Sequence, residues 1–163
     1  MSHETVGKSN EWYTPPRVFD ALGVRFDLDV ACPKDRTFIC TPADAFFTEN
    51  ALERDWKGFV WMNPPYGNSQ TKTIWLNKFF SHGNGIALMP DRTCAVWWHM
   101  AFARADAALF TKGRVSFIRA NGSVGKGNGT NSCLFASGKQ ALKALLNAEK
   151  SGSGAVSMYG GAA

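Results

Sequence analysis

Phe59-Val60-Trp61-Met62 runs straight into Asn63-Pro64-Pro65-Tyr66-Gly67. A short, continuous apolar run closed by a turn reads as a strand buried on both faces, the pattern of a parallel sheet covered by helices. The prolines end it. Neither carries an N–H to extend a ladder, and each pushes the residue before it out of the α region. Ligands of open α/β sheets sit beyond the carboxyl ends of the strands, so the stretch puts a polar tetrapeptide where a site would lie.

The pattern around this stretch alternates. Upstream, residues 12–16 are extended. A helix follows to about Leu22, with Thr14 as its cap, a proline in its first turn and Gly23 as its stop. Residues 26–31 form a strand, and residues 34–55 are irregular. Downstream, a helix is expected over 71–80, with Leu76, Phe79 and Phe80 on one face. A strand over 85–89 and a Trp-rich helix over 93–103 come next. Three late strands follow, over 107–110, 114–118 and 133–136, with a Gly- and Asn-rich loop over 119–132. The final helix spans 139–148. Strands alternating with helices imply an α/β fold with a mostly parallel sheet, to which a late hairpin adds an antiparallel edge. The expected organisation is a flexible arm over 1–10, one domain over 11–150 and a flexible Ser/Gly-rich tail over 151–163.

Composition narrows the function. The chain has 163 residues, 45% of them hydrophobic, enough for one core and too few for a catalytic module plus a separate recognition module. Lys and Arg number 18 against 13 Asp and Glu, a net charge of +5 that suits a polyanionic partner without proving one. No stretch reaches the roughly 18 apolar residues of a membrane span, and no secretory signal opens the chain, so a cytoplasmic protein is expected. Cys32, Cys40, Cys94 and Cys133 form no C-x-x-C pair, and His82 and His99 stand apart from them. Reduced thiols and no metal are expected.

The tetrapeptide carries the chemistry. An amide side chain, outward carbonyls and a phenol ring suit the binding of a planar aromatic amine such as adenine. The exocyclic amine of adenine is a poor nucleophile, because its lone pair is delocalised into the ring. Acceptors on both of its N–H groups, Asn63 Oδ1 and the Pro64 carbonyl, localise that pair for attack on a sulfonium methyl. Tyr66 would stack on the base.

The chain resembles the phage-type DNA N6-adenine methyltransferases over roughly residues 11–138. The landmarks, in order, are Glu11-Trp12-Tyr13-Thr14-Pro15-Pro16, Phe26-Asp27-Leu28-Asp29-Val30-Ala31, Ala51-Leu52 with Asp55-Trp56, Asn63-Pro64-Pro65-Tyr66-Gly67, Leu88-Met89-Pro90, Trp97-Trp98 and Gly113-Arg114-Val115-Ser116-Phe117. The resemblance implies a Rossmann-like class I methyltransferase fold, S-adenosyl-L-methionine as cofactor and DNA as partner, in the cytoplasm of a bacterial host. It makes Asn63, Pro64, Pro65 and Tyr66 the catalytic set. Tyr13, Thr14 and Pro15 correspond to the amino-terminal cofactor motif, and Asp29 to the acid at the end of the first strand. Two departures stand out. Val30-Ala31-Cys32-Pro33 replaces a glycine-rich loop. Asn50 occupies the position of an acid that binds the cofactor's adenine, a role for which Glu49 and Asp44 remain alternatives.

Arg114, Arg119 and Lys126 are the candidate DNA-binding residues, on or beside a loop too poor in motif to be a Walker A phosphate loop. Ordinary packing is the favoured reading of Trp97 and Trp98, with a pocket-facing ring the alternative. RNA or protein glutamine as substrate, and a DNA-binding module without turnover, are the rival functions.

Overall fold

The computed structural model describes residues 12–125 and 131–158. The expected arm over 1–10 and Lys126 lie outside them. The central sheet has seven strands in the order β3-β2-β4-β5-β8-β6-β9. Its parallel half consists of β2 (Phe26–Asp29), β3 (Ala43–Phe46), β4 (Val60–Met62) and β5 (Gly85–Pro90). Three antiparallel pairings complete it, through β8 (Ser132–Ser137), β6 (Ala107–Thr111) and β9 (Gly154–Ser157). Because β8 opposes both β5 and β6, β6 points the same way as the parallel strands.

Helices cover both faces. The side chains of β4, β5, β8 and β6 alternate between the two covers. Trp61, Ile86, Leu134 and Leu109 pack with Phe19, Leu22 and Leu145, under α1 (Pro16–Leu22) and α4 (Lys139–Lys150). Val60, Met62, Ala87 and Phe135 pack with Leu76, Phe79 and Trp98, under α2 (Ser69–His82) and α3 (Val96–Arg104). Local chemistry sets two helix ends. Gly23 closes α1 at φ 64 and donates to the Phe19 carbonyl. Asn68 caps α2 by accepting from the Thr71 amide. Both are ordinary capping devices.

The structure corrects four expectations. Thr14 is not the cap of α1; Pro15 holds that position, without a side-chain bond. Residues 43–46, expected to be irregular, pair with β2 as an edge strand. The late hairpin does not sit at an edge, because β8 is inserted between β5 and β6 and all six of its residues are buried. Residues 114–117 join no sheet, although Val115 and Phe117 are buried at strand spacing. Only β7 (Ile118–Arg119) finds a partner there, pairing antiparallel with β1 (Trp12–Tyr13) as a separate two-stranded strap. Ordered structure also extends into the Ser/Gly-rich tail, where β9 forms the sheet's far edge.

Candidate active site

The tetrapeptide leaves the carboxyl end of β4 in the middle of the sheet. Beside it lies the carboxyl end of β2, which presents Asp29. Thr14 arrives from the strap. These elements meet in a narrow cleft lined by Tyr13, Thr14, Asp29 and Asn63, together with Thr41 and Trp61. Three of the five expected cofactor residues therefore share one wall system with the first residue of the tetrapeptide.

The contacts show how this is held. Asn63 is half-buried, and its Nδ2 donates to Thr14 Oγ1 at 3.1 Å. The bond commits the nitrogen end of the amide and leaves Oδ1 as the free acceptor. Thr14 and Tyr13 are buried, and the Tyr13 hydroxyl donates to the Asp35 carbonyl. That bond ties the strap to the loop over residues 30–42. This loop replaces a helix in the crossover from β2 to β3, and it supplies Ile39, Cys40 and Thr41 to the cleft.

Asp29 is 4% exposed. Burial pushes its carboxyl up to about 6, against a hydrogen bond from Thr41 and one from the Ala31 amide at 3.1 Å that both lower it. Desolvation wins because a charge in a low-dielectric site lacks the water that stabilises it. A buried acid facing a cleft is poised to ionise against a cation. One carboxylate, two threonine hydroxyls and one amide form a donor set that fits the cationic, polar end of an amino-acid-bearing cofactor.

Tyr66 is half-buried, yet its hydroxyl is enclosed and has no hydrogen-bond partner among the described residues. Burial raises that phenol well above its ordinary value. What Tyr66 offers to solvent is therefore ring and backbone. Pro64 is buried and Pro65 exposed.

Other expected residues lie apart. Pro15 is buried at the N-cap of α1 and does not line the cleft. Asn50 is exposed in the loop after β3, at φ 55, a left-handed conformation that Asn adopts more readily than Glu or branched residues. Arg119 stands beside the cleft, its guanidinium 5.8 Å from the ring of Trp12, which lines the wall. Arg114 is exposed, and its carbonyl accepts from Arg17 Nη2 at 2.5 Å. Trp97 and Trp98 are both buried, and neither lines the cleft. Thr41 escaped sequence reading, since a lone threonine in an irregular loop carries no periodic or spacing signal. Among the described residues, no group of three or more His, Cys, Asp or Glu could hold a metal ion, and no helix is long and apolar enough to cross a membrane.

A mainly parallel α/β sheet, with this tetrapeptide and a buried acid at the carboxyl ends of adjacent strands, is compatible with a methyltransferase fold. The chain belongs to the DNA N-6-adenine-methyltransferase (Dam) family, whose model matches residues 1–149, and is an adenine-specific DNA methyltransferase. It is 27% identical over 131 residues to a DNA N-6-adenine-methyltransferase of Haemophilus phage HP1, covering 72% of this chain and 73% of that one. No solved structure matches it.

Proposed function

We propose that the protein transfers a methyl group from S-adenosylmethionine to N6 of an adenine that has left the DNA duplex, on a Rossmann-like methyltransferase fold and at a short or relaxed target sequence. The observation that carries this reading is the Asn63–Thr14 bond. With Nδ2 donating to Thr14, the Asn63 oxygen remains to accept from an amine.

The cofactor supplies an electrophilic methyl on a sulfonium. Asn63 Oδ1 and the Pro64 carbonyl accept the two amine N–H groups, drawing the nitrogen toward tetrahedral geometry and localising its lone pair. The proton leaves after the methyl has arrived, so no strong base is needed. Asp29, with Thr41 and Thr14 around it, binds the cationic end of the cofactor. Tyr66 stacks on the base. Such stacking is worth about 1–3 kcal/mol, against a few kcal/mol for unstacking and unpairing, so the ring offsets much of the cost of extrusion.

The relaxed specificity follows from where the chain is spent. The described residues go into one sheet, its four helices and the strap, which leaves base recognition to loops. Arg114, Arg119 and Lys126 contact phosphates, giving affinity without sequence information.

Two experiments test the reading. Labelled donor is offered with duplex DNA, RNA or protein, and label is expected in DNA. Label only in RNA or protein overturns the substrate. Methylation-sensitive sequencing of DNA from expressing cells is expected to show a short motif, and a strict site of six or more base pairs overturns the relaxed specificity.

A further inference from the structure

Lys72 is buried in the first turn of α2, 7% exposed. This is a poor place for a lysine. Burial costs the ammonium its hydration, and the amino end of a helix is the positive end of its dipole. Its contacts point to the tetrapeptide. Lys72 Nζ donates to the Gly67 carbonyl at 2.7 Å, and Gly67 directly follows Tyr66. The ammonium also lies 5.8 Å from the ring of Trp97, on the neighbouring α3. Gly67 is exposed, and the bond from Lys72 gives its carbonyl a fixed direction that water alone would not impose.

Gly67 sits at φ 46, and a Cβ placed there would lie 2.9 Å from Thr71 Oγ1. The turn that leaves the tetrapeptide is therefore tight against the first turn of α2 and tied to it by Lys72. We propose that Lys72 is a positioning residue for methyl transfer. By holding the Gly67 carbonyl against α2 and Trp97, it fixes the backbone from Pro64 to Gly67, and with it the Pro64 acceptor and the Tyr66 ring. The inference rests on the functional reading above, since it matters to the rate only if that backbone meets the adenine.

Lys72→Met keeps the length and packing of the stem and removes the donor and the charge. The expected result separates rate from stability. Single-turnover methyl transfer at saturating DNA and cofactor falls at least tenfold, because small misplacements of reacting groups are costly. The cofactor Kd stays within twofold, since Asp29, Thr14 and Thr41 are untouched. The melting temperature stays within a few degrees of the wild type, because the stem keeps its packing. Amide hydrogen exchange across residues 66–71, measured without DNA or cofactor, rises several-fold.

An unchanged transfer rate overturns the proposal. So does a variant that melts well below the wild type, or one that loses rate and cofactor affinity in proportion, since either makes Lys72 a structural residue only. Should the wild type itself methylate no DNA, the functional reading fails, while the exchange measurement still reports whether Lys72 holds the turn.

Discussion

Asn63 Nδ2 and Thr14 Oγ1 are 3.1 Å apart, a hydrogen bond between residues 49 positions apart in the chain. It joins the sheet to the strap and orients the amide that the proposed chemistry uses. Thr14→Val preserves the shape and deletes the acceptor. It is expected to cost about 1 kcal/mol of stability, the ordinary worth of such a bond, and to slow methyl transfer about tenfold through a loosened amide. Asn63→Ala removes the acceptor itself and is expected to slow transfer on the order of 100-fold, the scale seen when one preorganised electrostatic group is lost. Cofactor affinity should change far less in Asn63→Ala, while Thr14→Val, whose hydroxyl also lines the cofactor cleft, should lose some affinity as well. Calorimetry alongside single-turnover rates checks this, and equal losses in rate and affinity would make Asn63 a structural residue.

Tyr66 separates ring from hydroxyl. The hydroxyl is enclosed and unpaired among the described residues, which costs about 1–3 kcal/mol relative to a satisfied group. Tyr66→Phe removes that burden and keeps the ring, so the variant is expected to melt higher and to methylate DNA at near the wild-type rate. Tyr66→Ala removes the stacking surface and is expected to lose DNA affinity and rate together. A Phe variant as impaired as the Ala variant would give the hydroxyl a direct role in the reaction.

Much of this site was legible because its parts are local. The apolar run into Asn63-Pro64-Pro65-Tyr66 identified both the buried strand and the carboxyl edge it ends on, and Gly23 marked the end of α1. What was missed depends on distant partners. Val115 and Phe117 are buried at strand spacing, but burial under a helix gives the same alternation as a ladder does, and no neighbouring strand was there. Thr14 has the chemistry of a cap. It serves Asn63 instead, a choice made by a residue 49 positions away. The insertion of β8 between β5 and β6 joins strands far apart in the chain, which no local pattern records, although its unbroken apolar run matches a central strand. Thr41 became visible only once the crossover brought it to Asp29.

The charge on the strap offers a test of the DNA-binding face. Arg119 is exposed beside a wall of the cleft, whereas Arg25 lies at the amino end of β2, on the opposite edge of the sheet, paired with Asp44. Each phosphate contact contributes about −0.9 to the slope of log K against log salt on duplex DNA. Arg119→Ala is therefore expected to make the slope shallower by about 0.9, and Arg25→Ala to leave it unchanged. Fluorescence titrations at several salt concentrations check this, and equal slopes for Arg119→Ala and wild type would remove Arg119 from the interface.

Asp29 makes both stability and cofactor binding depend on pH, with opposite signs. Its carboxyl sits at about 6 in the folded chain against an ordinary 3.8. Between those values the folded state holds more protons than the unfolded state, so stability falls as pH rises from about 4 to 6 and then levels off. Two pH units correspond to roughly 3 kcal/mol at most. Asp29→Asn should flatten this fall and be the more stable protein at pH 7. A cation bound beside the carboxylate favours the ionised form, so cofactor binding below pH 6 must expel a proton. Affinity is expected to rise with pH, by up to tenfold per unit, until about pH 6 and then to plateau. Calorimetry at pH 5.5, in buffers of different ionisation enthalpy, should register the released proton in the wild type and none in Asp29→Asn. A wild-type affinity that is flat from pH 5 to 7 would mean that the cofactor's cation does not meet Asp29, and the acid's burial would then need another explanation.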